Sequence, residues 1–466
     1  MIAALALTTL LLGQAPEGAA VSGEGPLLTL DQAIARAKEH NLDLQVARAR
    51  LEQAKVTSRK VWAAYLPQLS VGGSYTRNNV AAEIPFVTSY YIRNVGQNQG
   101  PPGPGTEPFS PENPPGTASP YILYPAAIQQ VTIQQLNQLG AQAQLNQALI
   151  APALFPAIRN AYLVEEVAEL SVENARREIL FGVAQLYYGA AGLKEAIRVQ
   201  ERLLEINRDH EKDARVRFEA GAAPKAALLR AEIDRARSEQ EVRRAQNAYL
   251  SAKVALATLL DRDTSFSVEV PPDAAQPQDA AGLEKKALER PDVEAARLNV
   301  QLAEGQRTGV LMRYLPNLGL NAVYRYANVA GFIGRNDSWA VTLGLNWTLF
   351  DGGLREAELK ESGARIAEAE ANRRSLERRA QDEVTRAKLD LDSAQANRVK
   401  AAEQLRLARE NMELVNVSYK AGVATYLEVS DASFALLGAE LNAVAEGLNA
   451  NLAVVRLLRA AGQFNP

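Results

Sequence analysis

Residues 338–353 read SWAVTLGLNWTLFDGG. From Trp339 to Leu349, apolar residues occupy every second position, and small or polar residues fill the positions between them. This strict alternation is typical of a β-strand with one apolar and one polar face. Trp339 and Trp347 lie about 26 Å apart if the segment is a strand. A tilted strand with tryptophan near both ends of an apolar band ~25 Å tall indicates an outer-membrane β-barrel, and the edge of a soluble β-sandwich is the alternative.

Three further segments show the same alternation, although the last does so more weakly. They are residues 318–326, 69–75 and 145–149. Four strands cannot close a barrel, since single-chain bacterial barrels need at least ~8. Three copies would supply twelve strands, so strands that face lipid predict a homotrimer. Tyr324, Trp339 and Trp347 are then predicted to form the aromatic belt of the barrel.

The chain contains an internal repeat. Three groups of residues recur in order: Tyr65-Leu66-Pro67 as Tyr314-Leu315-Pro316, Leu145-Asn146 as Leu345-Asn346, and Ala220-Gly221 as Ala421-Gly422. Ordered repeats indicate a symmetric architecture. The offset falls from 249 to 200 residues, so the first half carries 49 extra residues between Tyr75 and Leu145. These extra residues include the proline- and glycine-rich segment 96–120, which is predicted to be an exposed loop.

Each half of the repeat contains one long segment that is almost free of proline, residues 153–220 and 353–421. As a helix, each would be about 100 Å long. The second segment has apolar residues at a seven-residue spacing, with Arg398 as the exception. A sustained 3.5-residue period predicts left-handed coiled-coil packing. The predicted fold is therefore mainly α with a membrane β-barrel, and a soluble coiled-coil scaffold is the alternative.

Composition argues against several classes of protein. The net charge of −3 gives no basic stripe for a nucleic acid. The chain has no cysteine, and its two histidines are His40 and His210. A thiolate site, a histidine-based triad or a zinc site is therefore not expected. We predict no enzyme, no cofactor and no metal. The apolar run at residues 2–12, with small residues behind it, predicts a signal peptide within residues 1–20.

With these features the sequence resembles the TolC-like outer-membrane efflux protein family along nearly its whole length. The resemblance rests on the two Tyr-Leu-Pro-x-Leu segments, on the Leu-Phe-Asp-Gly-Gly turn at residues 349–353, and on the Ala-Gly pair at each long-helix tip. It implies a homotrimer in which a twelve-stranded outer-membrane barrel is joined to an α-helical barrel that crosses the periplasm. It also implies docking with a periplasmic adaptor (membrane fusion) protein and an inner-membrane pump.

The resemblance also implies the domain organisation. Residues 67–150 and 317–350 are expected to form the barrel strands and their loops. The periplasmic helical tunnel is expected to comprise residues 21–66, 151–265, 282–316 and 351–466. Residues 266–281, which contain three prolines, are expected to link the two repeats in the equatorial region. The implied function is a passive exit duct for small molecules such as drugs and toxic compounds, with type I protein secretion as the alternative.

Two acidic residues follow the second tip. Glu428 and Asp431 lie three positions apart, on one face of the helix after Gly422. The resemblance places acidic rings at the periplasmic entrance of the pore, where six carboxylates from three copies would favour cations. Tyr419 is predicted to lie at the same entrance. The alternative is that the two acids complement a helix N-terminus.

The two tips are predicted to dock the adaptor, through Gly221, Ala222 and Pro224 of the first tip and Gly422, Val423 and Thr425 of the second. Some members of the family latch the closed entrance with an aspartate on the first tip and an arginine on the second. Here Ala227 and Ala424 occupy those positions. The sequence therefore predicts a gate held by packing or by the repulsion between the acids.

Overall fold

The computed structural model describes residues 25–94, 121–274, 282–330 and 334–464. The predicted signal peptide and the predicted loop at 96–120 lie outside these residues, as do residues 275–281 of the predicted linker. The described residues form two compact units. The helical unit comprises the described parts of Met1–Ala54, Leu163–Gln301 and Ile366–Pro466, and the strand unit comprises those of Lys55–Tyr162 and Leu302–Arg365.

The elements follow the duplicated order that the sequence predicts. The helices are α1 (Leu30–His40), α2 (Leu42–Ala63), α3 (Leu154–Glu219), α4 (Lys225–Leu260), α5 (Leu283–Ala287), α6 (Pro291–Met312), α7 (Leu354–Lys420) and α8 (Tyr426–Ala460). The strands are β1 (Leu27–Leu28), β2 (Gln68–Arg77), β3 (Ala82–Asn94), β4 (Tyr121–Gln134), β5 (Asn137–Ile150), β6 (Ser267–Val268), β7 (Asn317–Ala327) and β8 (Asp337–Asn346). Within the described residues, no helix is long and apolar enough to cross a membrane.

The core of the strand unit is an antiparallel four-stranded sheet in the order β2-β5-β7-β8. Directly paired residues share a face, so the register separates two sets of side chains. One set is mostly apolar, and its large apolar members are Leu69, Val71, Tyr75, Leu139, Leu145, Leu318, Leu320, Tyr324, Tyr326, Trp339, Val341, Leu343 and Leu345. The other set consists mostly of amides, hydroxyls and glycine. We call these the apolar face and the polar face.

The extra residues of the first half are more ordered at their ends than the sequence suggests. β3 and β4 pair as a separate antiparallel hairpin, which leads into the segment at 96–120. The predicted loop at 96–120 lies between these two strands and outside the described residues, so it stays a prediction. Pairing between the two strands satisfies backbone groups that an irregular loop would expose to water.

Equivalent turns of the two repeats are fixed by equivalent hydrogen bonds. The indole Nε1 of Trp347 donates to the carbonyl of Tyr314 at 3.0 Å, and the side-chain amide of Gln147 donates to the carbonyl of Tyr65 at 2.7 Å. These donors lie 200 residues apart, as the repeat requires. Because β8 ends at Asn346, Trp347 follows the strand rather than lying within it. Its side chain is both exposed and bound to this turn.

The helical unit buries the seven-residue pattern of α7. Val384, Ala387, Leu391, Ala401 and Met412 are all less than one tenth exposed. Arg398, the exception in the pattern, donates to the carboxylate of Asp273 at 2.9 Å. The pattern therefore breaks where the segment after β6 crosses α7.

The predicted linker at 266–281 begins as part of the core rather than as a free connection. β6 pairs in parallel with β1, and the side chains of Phe266 and Val268 are fully buried. Lys194 on α3 donates to the hydroxyl of Ser267 and to the carbonyl of Val268. Burial of these two large apolar side chains anchors the start of the segment in the helical unit, and its role as the link between the two repeats stays a prediction.

Candidate functional site

The two pairs of long helices end in turns of the same geometry. We call α3 with α4 the first hairpin and α7 with α8 the second hairpin. Gly221 and Gly422 have φ angles of 73° and 77°, a region that glycine enters without a steric penalty. The next amide in each turn, that of Ala222 or Val423, donates to the carbonyl five residues earlier, at 2.8 and 2.9 Å. This Schellman pattern explains why both tips contain glycine.

The helices that leave the two turns are capped differently. Pro224 makes no side-chain cap for α4, whereas Thr425 forms a capping box with Glu428. The Glu428 carboxylate accepts from the Thr425 amide at 2.6 Å and from its hydroxyl at 3.0 Å. These hydrogen bonds hold the pKa of Glu428 below its usual range. Glu428 thus makes the helix-capping contact of the alternative interpretation, while Asp431 is exposed outside the capping box. Their role at a pore entrance stays a prediction.

Tyr419 joins the end of α7 to α3. Its hydroxyl donates to the carboxylate of Asp213 at 3.2 Å. The guanidinium of Arg217 lies 4.6 Å from the centre of the Tyr419 ring and donates to the same carboxylate at 2.9 Å. Partial burial is the main cause that raises the pKa of Tyr419. These three residues therefore supply a tyrosine–aspartate–arginine contact between the hairpins, although Ala227 and Ala424 leave the expected latch positions empty of charge.

Asp234 is the acceptor of a second contact, which is more deeply buried. It belongs to α4, is 8% exposed, and accepts hydrogen bonds from two hydroxyls of α8. The donors are Tyr426 at 3.2 Å and Ser430 at 2.9 Å. Burial, reinforced by the carboxylate of Asp234, raises the pKa of Tyr426 far above its usual range. The tyrosine therefore stays neutral and acts as a donor.

His210 on α3 lies against this second contact. Its ring meets the ring of Tyr426 edge to face, with 6.0 Å between the ring centres. Its Nδ1 atom is buried and has no hydrogen-bond partner. Burial lowers the pKa of His210, although Asp213, Asp209 and Asp234 all favour its charged form. The imidazole is therefore held neutral next to three carboxylates.

A third contact lies further along α8 and uses charge alone. Glu440 is buried, and its carboxylate accepts from Arg202 of α3 and from Arg409 of α7, each at 3.2 Å. A buried carboxylate needs such partners because its desolvation is costly. The polar contacts between the two hairpins thus include those of Tyr419, Tyr426 and Glu440.

The predicted aromatic belt lies partly on the apolar face. Trp339 is 74% exposed and pairs directly across the sheet with Tyr324, which is also exposed. Val71, on the same face, is 77% exposed. An isolated soluble chain rarely exposes a continuous apolar surface of this size. The apolar face therefore requires a cover.

A paired set of long helical hairpins and a sheet with one apolar face are the features that the sequence predicts for an outer-membrane efflux channel. Comparison with known proteins shows what the chain is similar to. Residues 283–463 match the family described as outer membrane efflux protein. The chain is 26% identical over 336 residues to Protein CyaE of Bordetella pertussis. That alignment covers 70% of this chain and 66% of the relative, slightly less than two thirds of the relative's length.

Solved structures show the fold over nearly the whole chain. The outer membrane protein VceC from Vibrio cholerae has a TM-score of 0.71 and 22% identity, with 93% of this chain and 96% of VceC covered. The Campylobacter jejuni CmeC outer membrane channel has a TM-score of 0.73 and 14% identity, with 94% and 87% covered. The predicted resemblance to the TolC-like family, the fold class and the outer-membrane location are confirmed by the family match and these fold matches together.

Proposed function

We propose that the chain is one protomer of a homotrimeric exit duct, which carries small molecules from an inner-membrane pump and a periplasmic adaptor to the exterior. The observation that supports this proposal most directly is the four-stranded sheet. Among the described residues, the outer edges of β2 and β8 have no strand partner. Open sheet edges do not persist in the hydrocarbon region of a membrane, because no water is present there to satisfy their backbone groups.

Closure of the sheet requires further copies. Lipid would cover the apolar face, and the edge of β2 in one protomer would pair with the edge of β8 in the next. Three protomers provide twelve strands. Strands spaced ~4.8 Å apart and tilted by ~40° would then enclose a barrel with a backbone radius of about 12 Å. The polar face would line its interior.

The helices supply the periplasmic part of the proposed duct. α3 and α7 have 66 and 67 residues, which corresponds to about 100 Å each. In each protomer the first and second hairpins would contribute to the wall of an α-helical tunnel. The tips at Gly221 and Gly422 would face the adaptor, and their small residues would allow its backbone to approach closely. Glu428, Asp431 and Tyr419 would then lie near the tunnel entrance.

The assembly is tested by cross-linking the purified protein in detergent and by recording it in planar bilayers. We expect cross-linked species to end at the trimer and each inserted trimer to give one conductance level. As a matched pair, Val341→Asp places a charge on the apolar face and Thr342→Asp places the same charge on the polar face. Val341→Asp should block membrane insertion, and Thr342→Asp should be tolerated. A stable, detergent-free monomer, or equal tolerance of the two variants, would contradict the proposal.

A further inference from the structure

The polar face of the four-stranded sheet carries one charged side chain, that of Arg325. Its other members are neutral, and they include Ser70, Gln142, Gln144, Asn146, Asn321 and Thr342. Several bond to one another: Asn321 donates to the side-chain oxygen of Asn146 at 2.7 Å, and Gln144 donates to the same oxygen at 3.2 Å. The surface is therefore a neutral hydrogen-bonding layer with one cation.

The neighbours of Arg325 do not neutralise its charge. The residues paired with it are Gln142 on β5 and Ser338 on β8. No carboxylate lies on the polar face of these four strands. Asp337, the nearest acid along β8, belongs to the opposite face and is paired with Arg335 at 3.2 Å. The side chain of Arg325 is exposed, so its guanidinium is available to solutes.

Arg325 also has a defined level along the sheet. β7 begins at Asn317, directly after α6, and Arg325 lies eight residues further on. That separation corresponds to about 26 Å along the strand. Arg325 therefore lies near the end of β7 that is opposite to α6, at the level of Trp339 and Tyr324 on the apolar face.

We infer that three copies of Arg325 form a cationic ring inside the outer mouth of the barrel, and that this ring favours anionic solutes. The inference rests on the proposed trimer, since it needs three-fold symmetry and a lumen lined by the polar face. A guanidinium presents a planar fork of donors that matches carboxylate, sulfate and phosphate groups. The solute class that this ring would attract is therefore small organic and inorganic anions.

The size of the effect follows from the barrel radius. An arginine side chain that projects about 6 Å from a wall of ~12 Å radius leaves its charge about 6 Å from the axis. Three such charges, screened by 0.1 M salt, raise the concentration of a monovalent anion on the axis about seven-fold. At 1 M salt the enrichment falls below about two-fold, because the Debye length shortens to ~3 Å. The ring would oppose the cation preference predicted for the acidic entrance at the other end of the duct.

The test measures reversal potentials of single trimers in a KCl gradient. The ring lowers the concentration of potassium by the same factor by which it raises that of chloride, so Arg325→Gln should lower the chloride-to-potassium permeability ratio by up to about 50-fold near 0.1 M salt. The change should shrink to about three-fold near 1 M. Arg77→Gln is the matched control. Arg77 ends β2 and belongs to the apolar-face register, so the same loss of charge should leave the ratio unchanged.

Because the chain has no cysteine, a thiol can be placed at this position alone. Arg325→Cys should react with methanethiosulfonate reagents in the assembled channel. A trimethylammonium-ethyl reagent should restore the chloride preference, and a sulfonatoethyl reagent should shift the ratio further toward potassium. These opposite shifts depend on charge and would not follow from a change in folding.

The outcomes separate this inference from the proposed function. A trimer that conducts, with a permeability ratio that is the same in Arg325→Gln and wild type, would overturn the cationic ring and leave the duct intact. Thiol labels that change the ratio equally for both charges would also overturn it. A wild-type protein that forms no trimer and no conductance would overturn the proposed function and the ring together.

Discussion

Two single variants, Tyr426→Phe and Tyr419→Phe, should weaken the contact between the hairpins to different extents. Tyr426 and Tyr419 each donate to a carboxylate at 3.2 Å, so distance does not distinguish them. Burial does, because Asp234 is 8% exposed while the side chain of Asp213 is 44% exposed. Water competes for the second carboxylate and screens its charge. We therefore expect Tyr426→Phe to weaken the association of the hairpins more than Tyr419→Phe.

The size of each change in the equilibrium between paired and separated hairpins follows from the same difference in burial. A hydrogen bond to a buried charged group contributes about 1.5–3 kcal/mol. Loss of the Tyr426 hydroxyl should therefore raise the equilibrium constant for separation of the hairpins about 10- to 150-fold. A contact at an exposed charge contributes about 0–1 kcal/mol, so loss of the Tyr419 hydroxyl should raise it no more than about five-fold.

Electron paramagnetic resonance can measure this separation. Spin labels at Ala220→Cys and Ala421→Cys, one in each tip, report the distance between the hairpins of one protomer. Co-expression with an excess of the cysteine-free chain should give assemblies in which only one chain carries the labels. Tyr162→Phe is the matched control. The hydroxyl that it removes accepts from the indole of Trp62, and both residues belong to the strand unit. An equal or larger shift for Tyr419→Phe would refute the reasoning, as would an unchanged distribution for Tyr426→Phe.

Three further predictions concern the tips and the histidine. Changing Glu428 to Gln and Asp431 to Asn together should abolish cation preference and block by trivalent cations, and unchanged currents would leave helix capping as the role of these acids. Changing both Gly221 and Gly422 to Leu, at about 1–2 kcal/mol of strain each, should abolish efflux while trimers still insert, and normal efflux would exclude docking at the tips. Burial lowers the pKa of His210 in the folded chain, so below pH 6.5 the unfolded chain binds more protons than the folded chain. The melting temperature should therefore fall as the pH drops below 6.5, and His210→Gln should make that fall smaller.

The long helices could be predicted from the sequence almost to the residue. The predicted segment 353–421 corresponds to α7, which spans Leu354–Lys420. Two physical features make this possible: a seven-residue apolar pattern without proline continues the helix, and Gly422 ends it at a left-handed position. Both features are local, so they can be recognised without knowledge of the partner helix.

The β3–β4 hairpin could not be predicted in the same way. Pro85 and Pro125 lie inside its strands, and proline within an apparent strand normally argues against that assignment because it has no amide to donate. Within the part of the chain that the structure describes, the two strands pair only with each other, so each has an outer side where a missing donor is tolerated. The sequence shows the prolines but does not show which side of the strand they occupy.

The polar contacts between the hairpins could not be predicted from the sequence pattern. A seven-residue pattern identifies the buried face of a helix, but it does not identify the helix that this face meets. Tyr419 and Asp213 lie 206 residues apart, so their contact depends on how two hairpins are rotated against each other. The sequence places no charge at the latch positions Ala227 and Ala424, and the aspartate and arginine of the observed contact both lie on α3, before the turn. Polar residues inside an otherwise buried stripe, such as His210, are the local signal that a partner from another helix must be found.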